Sequence, residues 1–107
     1  FGTKLVCVYL PPPLQAQPRL SRPLRERVME VSGLTSEAIA RSDEIADHWI
    51  KYMRRSGIEY IDLRPVFRQQ EELLYWESDR HLNIVGHDLA GRVLHAALAG
   101  IMRKESR

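Results

Sequence analysis

Three consecutive prolines, Pro11, Pro12 and Pro13, end a short apolar run near the amino end of this 107-residue chain. The run, residues 5–10, is rich in β-branched and aromatic side chains, which predicts a central strand covered on both faces. Because proline has no backbone N–H to donate, the chain must leave the sheet at Pro11. We therefore expect an extended loop that reaches to about Pro23. It would lie at the carboxyl end of the strand, where α/β proteins build their sites.

A second strand is predicted after a long helix. Apolar side chains recur at helical spacing over residues 38–53, and either Thr35 or Ser36 can cap the start of this helix. Ser42 could interrupt it as a second cap, but one long helix is favoured. Residues 58–63 then form the second predicted strand. A strand, a crossover helix and a strand in this order imply a parallel pair with a right-handed connection.

Three further helices complete the predicted α/β pattern. A short helix is expected at about residues 24–31, and another over residues 65–73, where proline suits the first turn. Residues 74–76 favour a brief extended segment. A last amphipathic helix covers about residues 84–104, with Asn83 as its candidate N-cap. The order of the main elements is therefore β-α-β-α, typical of an α/β domain with a parallel sheet.

The length of 107 residues allows one domain at most. Since an apolar strand begins at Lys4 with almost no lead-in, we expect residues 1–107 to be one partial domain, the carboxyl-terminal part of a larger one. Cys7 is the single cysteine, which excludes an internal disulfide and a thiolate zinc cluster, and it is expected to be a small buried apolar residue.

Composition also limits the partners of this chain. The formal net charge is only +2, and the arginines are scattered among acids instead of forming a stripe, so no nucleic-acid partner is predicted. No apolar stretch approaches the roughly 20 residues that cross a bilayer, so no membrane span is predicted. The amino end also lacks the layout of a signal peptide.

Asp79 and His81 are the residues that point to chemistry. In an extended or turn-like segment, side chains two residues apart lie on the same side, so Asp79 can contact His81 while Arg80 points away. A carboxylate that holds the Nδ1 proton of a histidine leaves Nε2 free to act as a general base. Asp79, His81 and His87 could also be drawn as a metal site. No third histidine at helical spacing supports that site, so no metal and no cofactor are predicted.

The order of residues in this region resembles a known family. Residues 75–90 contain Asp79, His81, Asn83, then Gly86 and His87, then a helix. This pattern resembles the carboxyl-terminal block of SGNH (GDSL-type) hydrolases. The resemblance implies the carboxyl-terminal portion of a flavodoxin-like three-layer α/β/α sandwich. It also implies that Asp79 orients His81, the base of a Ser-His-Asp triad.

The spacing of the pair suggests a branch of that family. One residue, Arg80, separates Asp79 from His81, where the family usually has two. The Asp-x-His form is similar to the branch that contains alginate O-acetyltransferases. The resemblance therefore implies ester hydrolysis or acetyl transfer on a small-molecule or carbohydrate ester, in an extracytoplasmic setting.

The nucleophile of such a triad has no match in this chain. No Asn other than Asn83 is present for an oxyanion hole, and the candidate serines lack the family's Gly-Asp-Ser setting: Ser21, Ser32, Ser36, Ser42, Ser56 and Ser78. The serine and the oxyanion donors are therefore expected in a missing amino-terminal half of the same domain. The alternative is a non-catalytic module of the same topology. In it, Asp79 and His81 fix a loop and a partner binds at an exposed sheet edge.

Overall fold

The computed structural model of the protein describes residues 2–105. Within that range the chain forms two strands and five helices, in the order β1 (Val6–Tyr9), α1 (Pro13–Ala16), α2 (Arg22–Ser32), α3 (Ser36–Arg55), β2 (Glu59–Asp62), α4 (Arg64–Arg68) and α5 (Ile84–Glu105). No helix in this part of the chain combines the length and the apolarity needed to cross a membrane.

The two strands pair in parallel across the α3 crossover, which confirms the predicted strand, helix and strand unit. The register runs from Val6 opposite Glu59 to Tyr9 opposite Asp62. Thr35 caps α3, because its hydroxyl oxygen accepts a hydrogen bond from the Ala38 N–H at 3.1 Å. With this parallel pair and its crossover helix, the described residues have the predicted α/β class with a parallel sheet.

The long helix α3 continues without a break through Ser42, as predicted. The Ser42 hydroxyl donates to the carbonyl oxygen of Ala38 at 2.8 Å, one turn back in the same helix. Since α3 runs unbroken from Ser36 to Arg55, no new helix begins at Ser42. The possible second cap at Ser42 therefore does not form.

The first strand is less covered than its apolar run predicts. Within residues 2–105, β1 pairs with β2 alone, and the Val8 and Leu10 side chains are 43% and 51% exposed. Cys7 is half-buried, not fully buried as expected. The prediction of a central strand covered on both faces is thus wrong for the described chain, because β1 has a single neighbouring strand there and its other edge is open.

The proline segment is helical where an extended loop was predicted. Residues Pro13–Ala16 form one helical turn, with proline at its start, and this turn is buried. Proline cannot continue a strand, but its fixed φ suits the first turn of a helix equally well. The prediction for residues 11–23 was therefore right that the strand ends and wrong that the chain stays extended.

Helix α4 is shorter than predicted, and Gln17 binds the segment that follows it. Its buried amide donates to the carbonyl oxygens of Gln70 (3.3 Å) and Glu72 (2.8 Å), and its own oxygen accepts from the Leu74 N–H at 2.9 Å. These bonds hold residues 70–74 to Gln17. Helix α4 ends at Arg68, and residues 69–74 run irregularly toward the candidate site.

The hydrophobic core lies between β2, the segment that follows α4, and the first half of α5. Its buried members are Ala16, Ile61, Leu63, Phe67, Leu74, Tyr75, Leu82, Leu89 and Ala90. Because Leu74, Tyr75 and Leu82 belong to this core, both ends of the loop that carries Asp79 and His81 are anchored.

Candidate active site

The loop between Tyr75 and Leu82 is closed by a short antiparallel bridge between these two residues. Inside it, the Trp76 N–H donates to the carbonyl oxygen of His81 at 3.0 Å. Tyr75 thus forms part of the extended segment that was predicted at residues 74–76. The bridge holds both ends of the loop in the core and presents Asp79 and His81 at the surface.

Asn83 fixes this loop to the start of α5. Its side-chain oxygen accepts from the Gly86 N–H at 2.8 Å, which confirms the predicted N-cap. Its side-chain nitrogen donates to the carbonyl oxygens of Leu73 (2.6 Å) and Tyr75 (3.4 Å). One side chain therefore joins the helix start to the segment that enters the loop.

Asp79 and His81, the two residues proposed from the sequence as the site, lie together. The distance between Asp79 Oδ1 and His81 Nδ1 is 3.3 Å, slightly longer than an ordinary hydrogen bond. The same Oδ1 accepts from the His81 backbone N–H at 2.8 Å, which makes the segment a side-chain-stabilised turn. The Asp79 carboxylate therefore holds both the backbone and the ring of His81.

The His81 ring is open to solvent. Its side chain is 85% exposed, and within residues 2–105 no group makes a hydrogen bond to Nε2. Arg80 diverges from the pair, as the alternation predicts, and its Nη2 donates to the carbonyl oxygen of Ser32 at 2.6 Å. His81 Nε2, the nitrogen that a general base uses, is thus free, while the Arg80 side chain is held at the end of α2.

A cleft of about 330 Å³ lies beside His81, at the carboxyl end of β1. The prolines form one wall and the Asp79 loop the other, and the lining residues are Leu10, Pro11, Pro12, Pro13, Tyr75, Arg80, His81, Leu82 and His87. The buried Tyr75 hydroxyl donates to the carbonyl oxygen of Pro11 and joins the two walls. Burial raises the pKa of Tyr75, so the phenol stays protonated and keeps donating.

Trp76 and His87 are two further residues near this loop. Trp76 is half-exposed and lines a neighbouring groove with Glu77 and Ser78, not the His81 cleft. His87 shares the cleft with His81. Within residues 2–105, no three His, Cys, Asp or Glu side chains lie close enough together to hold a metal ion.

The cleft as described has no nucleophile. None of its lining residues is a serine, threonine or cysteine. Ser32 and Ser42 make hydrogen bonds within or next to their own helices, and Ser78 lies on the neighbouring groove. Two parts of a triad are therefore present at the cleft, and the described residues that line it do not supply the third.

Sequence reasoning missed a charge cluster around the buried Arg64 side chain, on the α3 side of the sheet. The Arg64 guanidinium donates to Asp43 (3.2 Å), Asp47 (2.9 Å) and Asp62 (3.0 Å), and it lies over the Tyr9 ring. Asp62 also accepts from the Arg64 backbone N–H at 3.0 Å and so stabilises the turn at the end of β2. The sequence signal that could have indicated this cluster is the pair Asp43 and Asp47, which lie one helical turn apart on α3.

The charges in this cluster compensate one another. Burial alone would raise the pKa of Asp43, but the hydrogen bond from Gln15 and the charges of Arg68 and Arg64 hold it below its usual range. The Gln15 side chain in turn accepts from the Tyr9 hydroxyl at 2.7 Å. The cluster therefore ties α1, α3 and α4 to the end of the sheet.

None of the family models, curated proteins or solved structures compared with this chain matches it. The resemblance of residues 75–90 to SGNH hydrolases therefore stays a prediction, and the geometry of Asp79, His81 and the cleft is what bears on function.

Proposed function

We propose that Asp79 and His81 are the orienting acid and the general base of a Ser-His-Asp triad that hydrolyses an ester or transfers its acyl group. The distance of 3.3 Å between Asp79 Oδ1 and His81 Nδ1, beside an open cleft, is the observation that carries this proposal. A contact of this length fits a site without substrate, where catalytic hydrogen bonds are often long.

In this reaction His81 moves the protons. Its Nε2 takes the proton of a serine hydroxyl as the oxygen attacks the ester carbonyl, and later returns it to the leaving alcohol. Asp79 holds the Nδ1 proton and stabilises the imidazolium that forms in between. Water then releases the acyl group from the serine, or a second alcohol accepts it. A small or carbohydrate ester is the substrate class that the resemblance implies.

The serine is proposed to come from a segment upstream of residue 1, on a strand beside β1. In a flavodoxin-like three-layer sandwich, of which this chain would be the carboxyl-terminal portion, further strands continue the sheet. The open edge of β1 and the exposed Val8 and Leu10 side chains support such an arrangement. Because carboxyl ends of parallel strands meet at one edge, a serine at the end of that strand would reach the His81 cleft.

A second candidate is a non-catalytic module, and one bond favours it. The hydrogen bond from the His81 N–H to Asp79 Oδ1 is 2.8 Å long, shorter than the contact between the side chains. In a non-catalytic module the Asp79 carboxylate would only stabilise the turn. The His81 ring would lie near it because the turn brings the two residues together. A partner would then bind at the open edge of β1.

The test begins with the coding sequence upstream of the Phe1 codon. The proposal expects a serine in a Gly-Asp-Ser setting after a strand pattern, and the longer protein should hydrolyse p-nitrophenyl acetate. His81→Ala should lower that rate by about 10³-fold or more. His95→Ala is the matched control, because His95 is exposed on α5 and outside the cleft, and it should leave the rate unchanged.

Two results would overturn parts of this account. An upstream segment without such a serine removes the enzyme and leaves the binding module. Turnover that survives His81→Ala removes His81 as the general base. The 107-residue chain alone should not exceed the rate of an equal concentration of free imidazole. Faster turnover that His81→Ala abolishes would show that this chain needs no upstream serine.

A further inference from the structure

We propose that the His81 cleft is a binding site for a small carboxylate with a short apolar chain, with Arg80 and His87 as the residues that recognise the charge. We also infer that Arg80 and His87 select esters that carry a negative charge, an inference that rests on the acyl transfer proposed above.

The charge of the cleft is one-sided. Its ionisable lining groups other than the Tyr75 phenol are Arg80, His81 and His87, and no carboxylate lines it. The phenol already donates to Pro11 and stays neutral. Asp79 stands behind His81, with its Oδ1 engaged by that residue. An anion that enters the cleft would therefore meet N–H donors and, among the described lining residues, no carboxylate.

Arg80 is held in place for this role without being neutralised. One of its nitrogens donates to the carbonyl oxygen of Ser32, the last residue of α2, where a cation is favoured by the helix dipole. A guanidinium has five N–H donors, so most of them stay available. Within residues 2–105 no acid forms an ion pair with Arg80, in contrast to Arg27, which pairs with Glu77 at 2.7 Å.

The opposite wall suits an alkyl chain. Leu10 is half-exposed and Pro12 is half-buried, so both present apolar surface, and Pro11 and Pro13 are buried and held by the Tyr75 bond and by the turn of α1. A volume of about 330 Å³ is at the small end of ligand cavities. A short carboxylate would thus place its chain on Leu10 and Pro12 and its charge between Arg80 and His87.

The experiment is an NMR titration of the 107-residue protein with butyrate and, in parallel, with butyramide, which has the same shape and no charge. Butyrate should produce saturable shifts at Arg80, His81 and His87, and butyramide should bind several-fold more weakly. Arg80→Gln and His87→Gln should each weaken butyrate binding by about threefold to tenfold. Arg80→Lys keeps the charge and should retain most of the affinity.

The matched control is Arg92→Gln, because Arg92 is an exposed arginine of α5 that pairs with Asp88 at 3.0 Å and does not line the cleft. It should leave butyrate binding unchanged. Equal binding of butyramide, no saturable shift, or an equal loss of affinity in Arg92→Gln would overturn the carboxylate site.

The two proposals fail separately in these experiments. Butyrate is not an ester and its binding needs no serine, so carboxylate binding by a protein without turnover removes the enzyme and keeps the site. Conversely, turnover by the longer protein with equal rates for neutral and anionic esters keeps the triad and overturns the selection by Arg80 and His87.

Discussion

Gly86 lies directly against the backbone of Leu74. A Cβ added at Gly86 would overlap the Leu74 carbonyl oxygen and come within 2.9 Å of Leu82 Cδ2. The Leu74 carbonyl also accepts from the Asn83 N–H at 2.9 Å, so the contact lies where the loop returns to α5. The glycine of the Gly86-His87 pair is therefore required by the close approach of the helix to the segment that carries the site.

Gly86→Ala should lower the free energy of unfolding by about 2–3 kcal/mol, because the clash is with backbone and cannot be relieved by a side-chain rotation. Gly91→Ala is the control, since nothing lies within 4 Å of a Cβ at Gly91 in the same helix. It should raise stability by about 0.5–1 kcal/mol. Chemical denaturation measures both, and equal effects of the two variants would contradict the close approach.

Tyr75→Phe should destabilise the protein by about 1–2 kcal/mol, because it leaves the buried carbonyl of Pro11 without its donor. Tyr52→Phe, at an exposed position of α3, should change stability by less than about 0.5 kcal/mol. Equal denaturation midpoints for Tyr75→Phe and the parent protein would show that the phenol does not join the two walls of the cleft.

The same phenol predicts a loss of stability in base. Burial raises the pKa of Tyr75 above that of a tyrosine in the unfolded chain. Its contribution is therefore complete below about pH 10 and is lost as the pH rises, because only the unfolded chain releases the proton. The slope of stability against pH above pH 10 should be smaller in Tyr75→Phe, and an unchanged slope would contradict the burial of the hydroxyl.

Asp43→Asn should cost about 1 kcal/mol at pH 7, an estimate that allows for solvent screening of this partly exposed carboxylate. The pKa of Asp43 is lowered in the folded protein, so its contribution is present above about pH 4 and is lost as the pH falls through the folded value. The variant and the parent should therefore converge in acid.

The control for this prediction is Asp88→Asn, whose carboxylate pairs with Arg92 on the exposed face of α5. It should change stability by less than about 0.5 kcal/mol at any pH between 3 and 7. A difference between Asp43→Asn and the parent that does not vary with pH would show that the charge of Asp43 is not what the cluster uses.

Local patterns made part of this fold predictable. The β1, α3 and β2 order, the Asn83 cap and the contact between Asp79 and His81 all depend on residues close in sequence. Spacing and side-chain type are sufficient for such features.

Contacts between distant segments were not predictable in this way. Gln17 bonds the backbone of Gln70 and Glu72, and Arg64 gathers acids from α3. Such pairs depend on how the helices pack against one another, and the periodicity of apolar residues does not predict that packing. The helical turn at Pro13–Ala16 was missed for a related reason, because proline suits both an extended loop and a first helical turn.

The most direct test of the central claim is the position of the proton on the neutral His81 ring, read from its ring ¹⁵N chemical shifts. If Asp79 orients a general base, the proton should reside on Nδ1, and Asp79→Asn should move it toward Nε2. The His95 ring, outside the cleft, should be unaffected by the substitution. A proton on Nε2 in the parent protein, unchanged by Asp79→Asn, would contradict the claim and leave Asp79 as a residue of the turn alone.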